Sequence, residues 1–179
     1  NLNVSDIFTC LKLGLEEVEN VELSKWWQGK EIEARIKRPS YMTKRESRTE
    51  RPLLQPDGLF ALRYLTDDVK QYFYLEADRG TIREKTMLGR YKKYWAHWEQ
   101  KGFTDQGIPA DQGFRVLTVC KNERRARNLR KLIEEKRPWN GNTTMFWFTH
   151  KQWSIKEPEP ILKNCWKTAK DDRLHSLLE

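Results

Sequence analysis

Long apolar runs are missing from this sequence, and none approaches the ~20 residues that a helix needs to cross a bilayer. No signal peptide opens the chain either, and a membrane span is not expected. Cysteine is scarce. Cys10, Cys120 and Cys165 are odd in number, far apart and never at metal-pair spacing, which argues against a disulfide framework or a zinc site and fits a reduced, cytoplasmic compartment. His97, His150 and His175 are equally isolated and read as packed or surface residues. A glycine-rich phosphate loop is absent, which leaves nucleotide hydrolysis without support. There is no internal repeat, heptad run or low-complexity tract. The chain opens on Asn1 rather than Met, so a natural segment is expected upstream.

What the sequence has in quantity is charge. Across 179 residues, 34 Lys and Arg stand against 26 Asp and Glu, a formal net charge of +8. That length suits one sizeable domain with an ordinary core. The expected division is residues 1–155 as an α/β domain and 156–179 as an extension. A positive balance favours polyanionic partners such as nucleic acid, an anionic membrane surface or an acidic protein, without choosing among them.

Hydrophobic periodicity orders the elements. Ile7, Leu11, Leu15 and Val18 recur at helical spacing, with Asn3 or Ser5 as the N-cap. Residues 21–28 read as extended, and 30–36 as either a short helix or more strand. Residues 37–52 carry dense basic charge without apolar periodicity and read as an exposed, DNA-contacting arm. The apolar runs 59–64 and 72–75 flank Thr66-Asp67-Asp68 and form a hairpin. Thr81 and Glu84 stand at capping-box spacing ahead of a helix carrying Met87, Leu88, Tyr91, Tyr94, Trp95 and Trp98, with Gly102 as its stop. A strand over 114–120 follows, then a helix opened by Asn122 and ended by Pro138. It holds Ala126, Leu129, Leu132 and Ile133 inward and its arginines, with Lys131, mostly outward. Residues 144–149 read as the final buried strand, and the tail as a short helix around Leu174, Leu177 and Leu178. Alternation of strands with crossover helices is an α/β pattern. Of the eight tryptophans, Trp95 and Trp98 follow core spacing, whereas Trp26, Trp27, Trp139 and Trp153 lack periodic context and one of them could be a partner contact.

Three carboxylates have a suggestive placement. Asp57 enters the first hairpin strand, and Glu76 and Asp78 end the second, two apart and therefore on one face. If the two strands pair, Asp57 and Glu76 fall at the same end. Convergent carboxylates in a basic protein suit a hard divalent cation such as Mg²⁺, which bridges to phosphate and lowers the pKa of an attacking water. The plainer reading is that Pro56-Asp57-Gly58 is a turn and that Glu76 and Asp78 serve a helix start and Arg79.

Pro56-Asp57 and Glu76 resemble the pattern of the PD-(D/E)XK nuclease superfamily. Pro56-Asp57-Gly58-Leu59-Phe60 and Leu75-Glu76-Ala77-Asp78-Arg79-Gly80-Thr81 resemble more closely the replication-relaxation family of plasmids and integrative elements, and the likeness continues through Lys85, Tyr91, Tyr94 and residues 114–117. The resemblance implies a restriction-endonuclease-like fold, a mixed central sheet flanked by helices, and a winged-helix DNA-binding segment upstream. It also implies Mg²⁺ on Asp57, Glu76 and Asp78, with Lys85 or Arg79 supplying positive charge and DNA or a relaxase as partner. The nuclease pattern has Lys where this chain has Asp78, and a carboxylate cannot stabilise developing negative charge. Two readings follow: a metal-dependent DNA endonuclease, or an inactive DNA- or relaxase-binding module. In either, Arg79, Lys92, Lys93, Arg124 and Arg127 are the expected phosphate contacts, within a wider basic set that includes Arg83, Arg90, Lys101, Arg125, Arg130 and Lys131.

Overall fold

The structure, a computed structural model, describes residues 4–35, 54–136, 143–150 and 153–179. Helix α1 (Val4–Glu16) leads into strand β1 (Val21–Gln28) and the short helix α2 (Lys30–Arg35). The hairpin strands β2 (Gly58–Tyr64) and β3 (Val69–Asp78) follow, then α3 (Glu84–Glu99), β4 (Arg115–Cys120), α4 (Glu123–Glu135) and β5 (Phe146–Thr149). Two short strands, β6 (Trp166–Thr168) and β7 (Leu174–His175), complete the chain. The result is a mixed α/β structure built on one seven-stranded sheet, in which every strand lies beside its neighbours in sequence. β3, β4 and β5 are mutually parallel and all other pairs are antiparallel.

The central strands are apolar on both faces because helices cover both. On one side Leu59, Tyr74, Val116 and Phe146 pack against Met87, Tyr91 and Tyr94 of α3 and Leu129 and Ile133 of α4. On the other, Phe60, Phe73, Leu117 and Trp147 pack against Ile7, Leu11 and Leu15 of α1 and Ile161, Trp166 and Leu177 of the tail. Phe60 and Phe73 are register partners, stacked with centroids 5.0 Å apart. The parallel strands need crossovers, and α3 and α4 supply them on a single face.

Several expectations are corrected here. The capping box is not formed: α3 starts at Glu84 with Arg83 as N-cap and no side-chain cap bond. Nor is Gly102 the stop. Lys101 takes the left-handed conformation (φ 53°), and Gly102 opens a 3₁₀ turn. Residues 144–149 do hold a strand, but not the last one. The tail contributes β6 and β7 rather than a helix, because Trp166 and Leu177 are needed to cover the sheet on the α1 side. Trp26 is a packing residue, set between Phe8 and Phe60. Asn122 does cap α4, its side chain accepting from Arg125 N at 2.9 Å. The 37–52 arm, Trp139 and Pro138 lie outside the described residues. Among the described residues, no helix is long and apolar enough to cross a membrane.

Two substitutions rank these contributions. Phe73→Ala, at a fully buried site, should cost about 3–5 kcal/mol in urea unfolding. Asn122→Ala, which deletes only the cap bond, should cost about 1 kcal/mol. Equal losses would contradict this account of the core.

Candidate functional site

Asp57 continues the hairpin ladder one step beyond β2. Its backbone N–H donates to Leu75 O at 2.9 Å, and its Oδ2 accepts from Ala77 N at 2.7 Å. Strand parity then places Glu76 and Asp78 on the face covered by α3 and α4, with 2% and 1% of their surface exposed. Burying a carboxylate is unfavourable unless it is paired and hydrogen-bonded, and here each is. Arg90 donates from Nη1 to Glu76 Oε2 at 2.7 Å, and Tyr94 donates its hydroxyl to Oε1 at 2.6 Å. Asp78 takes Arg125 Nε on Oδ2 at 2.6 Å and Gly80 N on Oδ1 at 3.1 Å. Arg125 reaches on to Ile82 O at 2.5 Å and faces Glu84 at 3.6 Å.

These partners are legible in hindsight. Arg90 is three residues after Met87 and four before Tyr94, at the margin of the buried stripe of α3. Arg125 precedes Leu129 by four on α4, and Arg130 sits next to it. The expectation that the α4 arginines face mostly outward fails for these two: only 13% of the Arg125 side chain and 15% of Arg130 are exposed. Arg130 is bound to Thr168 O, Asp171 O and Asp172. A capped helix start turns Arg125 toward the strand end, where Asp78 stands.

Burial pushes the Glu76 carboxyl up to about 7. Arg90 and Tyr94 pull against that rise, and the negative charge of Asp57 adds to it. His97, buried against Tyr74 and Gln106 at 3.1 Å from each, is pushed down to about 4 by desolvation, and Gln106 partly offsets the fall. It is therefore neutral at pH 7. A cleft of about 570 Å³ brings Asp57 and Arg90 to solvent beside the start of α1 and the end of β1, with Glu76 hidden behind Arg90.

The acidic trio thus lies at one end of the sheet, but Mg²⁺ does not fit the donor set as it stands. Both oxygens of Glu76 and of Asp78 already accept hydrogen bonds, at least one on each residue from an arginine, and a hard cation needs several free oxygen ligands. Among the described residues, no group of three His, Cys, Asp or Glu side chains is disposed to hold a metal ion. Lys85 is exposed in the first turn of α3, and Arg79 is exposed just past β3; the cations that meet the carboxylates are Arg90 and Arg125. Lys92, Lys93, Arg124 and Arg127 are exposed on the outer faces of α3 and α4, and among the described residues no carboxylate pairs with them. Arg124, Arg127 and Lys131 share one stripe of α4.

Removing Arg125 tests the lock on Asp78. Arg125→Leu leaves that buried carboxylate unpaired and should cost about 3–5 kcal/mol, part of it regained by adding Asp78→Asn. A single variant as stable as the wild type would refute the lock. Glu76 gives a pH signature. Its pKa is about 7 when folded and roughly 4.3 when unfolded, so the folded state binds the extra proton. Its stabilising contribution is complete below the unfolded value and is lost as pH rises through about 7. Between those limits the urea midpoint of the wild type should fall relative to that of Glu76→Gln, and parallel curves would contradict the buried, raised carboxyl.

Comparison with curated proteins and with solved structures finds no match. Residues 1–110 match the replication-relaxation family, a stretch that holds α1 to α3, Asp57, the Glu76–Arg90–Tyr94 cluster and Asp78. With more than half of its 179 residues matched, the chain belongs to the replication-relaxation family.

Proposed function

We propose that the chain is a DNA-binding accessory module in plasmid or mobile-element replication or relaxation, and that its buried carboxylates hold the fold together rather than hydrolyse DNA. The observation that carries this reading is the pairing of Glu76 with Arg90 and of Asp78 with Arg125. Metal-activated hydrolysis needs free oxygens at those positions, and a nearby Lys to stabilise charge; the chain has Asp78 at that place. The outer cations support binding. Lys92 and Lys93 on α3 and Arg124 and Arg127 on α4 are exposed in a chain of net charge +8. Cations of this kind neutralise backbone phosphates with little regard for sequence. A restriction-endonuclease-like ancestry would account for Asp57 and Glu76 at one end of adjacent strands. The second reading, a metal-dependent endonuclease on Asp57, Glu76 and Asp78 assisted by Lys85 or Arg79, is favoured by the same placement and requires both arginines to withdraw. A relaxase as direct partner is consistent with the family.

Supercoiled plasmid separates the two. Incubated with Mg²⁺ or Mn²⁺, the wild type should retard the plasmid without nicking it, and binding should weaken steeply with salt. Arg124→Glu with Arg127→Glu should weaken binding by about tenfold or more and flatten the salt dependence. Metal-dependent nicking that disappears in Glu76→Ala would establish the nuclease and end the accessory reading.

A further inference from the structure

A second feature lies at the same carboxyl ends of the parallel strands, where open α/β sheets commonly place their ligands. Between α4 and the β5–β7 edge is a recess of about 120 Å³. Its apolar lining is formed by Ala126, Phe148, Cys165 and Leu174. Leu174 is 45% exposed, one of four large apolar side chains left exposed among the described residues. Arg127, Arg130, Lys167 and His150 also line it, as do the carboxylates of Glu123 and Asp172.

These properties restrict the ligand. The recess is well below the ~300 Å³ of a typical small-molecule site, so one planar ring fits and a larger molecule does not. A bare phosphate would leave the apolar lining of Ala126, Phe148 and Leu174 without a partner. A nucleobase suits every part: its ring takes the apolar interior, and the imidazole of His150 offers a π-face. Exocyclic amino groups, present on cytosine, adenine and guanine, suit the carboxylate of Glu123, whereas Asp172 is already held by Arg130 and Lys167. The phosphates on either side then meet Arg127, which belongs to the exposed α4 stripe. Lys167 lies close by, 3.4 Å from Asp172. Arg130 is not available for this, since it is bound to Thr168 O, Asp171 O and Asp172.

We propose that the recess between α4 and the β5–β7 edge receives one unstacked base, so that the protein binds single-stranded DNA in preference to duplex. The inference rests on the DNA-binding reading above and adds the strand state. A base within a duplex cannot enter, because it is stacked and paired. One buried base on an apolar and aromatic surface contributes enough to shift affinity by about tenfold.

The test is fluorescence anisotropy on the full chain at low salt with three labelled probes of equal length: oligo-dC, an abasic phosphodiester strand and a mixed-sequence duplex. Oligo-dC is expected to bind at least about tenfold more tightly than the abasic strand, which has the same phosphates and no bases. It should also bind more tightly than the duplex. Leu174→Asp, at an exposed edge position where folding is checked by thermal melting, should erase the difference between oligo-dC and the abasic strand while leaving duplex binding intact. Equal affinity for oligo-dC and the abasic strand overturns the base pocket even though DNA binding stands. So does tighter binding of duplex, or a Leu174→Asp protein that keeps the oligo-dC advantage. Failure of all three probes to bind overturns the DNA-binding reading itself, and the pocket with it.

Discussion

Two carboxylates buried on one strand set the terms for the rest of the structure. Glu76 and Asp78 end β3 in the middle of the sheet, where water cannot solvate them, and the helices that cover them each supply one arginine. Arg90 ties α3 to the strand, and Arg125 ties α4 to the same strand two residues on. Desolvated ion pairs of this kind give little net stability compared with an apolar core, but they cost a great deal when one partner is lost. Their effect is positional. An apolar helix face can slide over an apolar sheet at small cost, whereas a helix that must present a guanidinium to a buried carboxylate has one register.

The same constraint links fold to function. Carboxylates committed inward draw Arg90 and Arg125 out of the basic surface, while Lys92, Lys93, Arg124 and Arg127 stay exposed. The molecule therefore separates its charges by role. Inner arginines neutralise the strand end, and outer ones on α3 and α4 face solvent. The Glu76 carboxyl, pushed up to about 7, shows that Arg90 and Tyr94 only partly offset its burial.

Much of the architecture was legible because local pattern and tertiary environment agree. The hairpin, α3, β4, α4 and β5 follow from apolar runs of strand length and from helical spacing, and Asn122 acts as a cap for the reason its side chain suggests. Strand parity also put Glu76 and Asp78 on one face. What could not be read was which cations turn inward. Arg90 and Arg125 look like their neighbours Lys92 and Arg124 in any window of sequence, and only the assembled sheet shows that they stand over carboxylates fourteen and forty-seven residues distant. The tail was misread for a related reason. Leu174, Leu177 and Leu178 have helical spacing, but β6 pairs with the edge of β5 and offers its own edge to Leu174 and His175, which decides the outcome there.

Seven strands lie in the sheet in the order in which the chain supplies them. Among the described residues, no strand waits for a later segment to be inserted between it and its neighbour, so each can dock on an edge that already exists. A chain emerging from the ribosome can extend such a sheet from one side as synthesis proceeds. Until Trp166 to His175 arrive, however, the β5 edge stays open and Trp147 lacks its tail cover. β6 then pairs with that edge and leaves only the two-residue β7 as the new one, a short strand that invites little pairing with other chains.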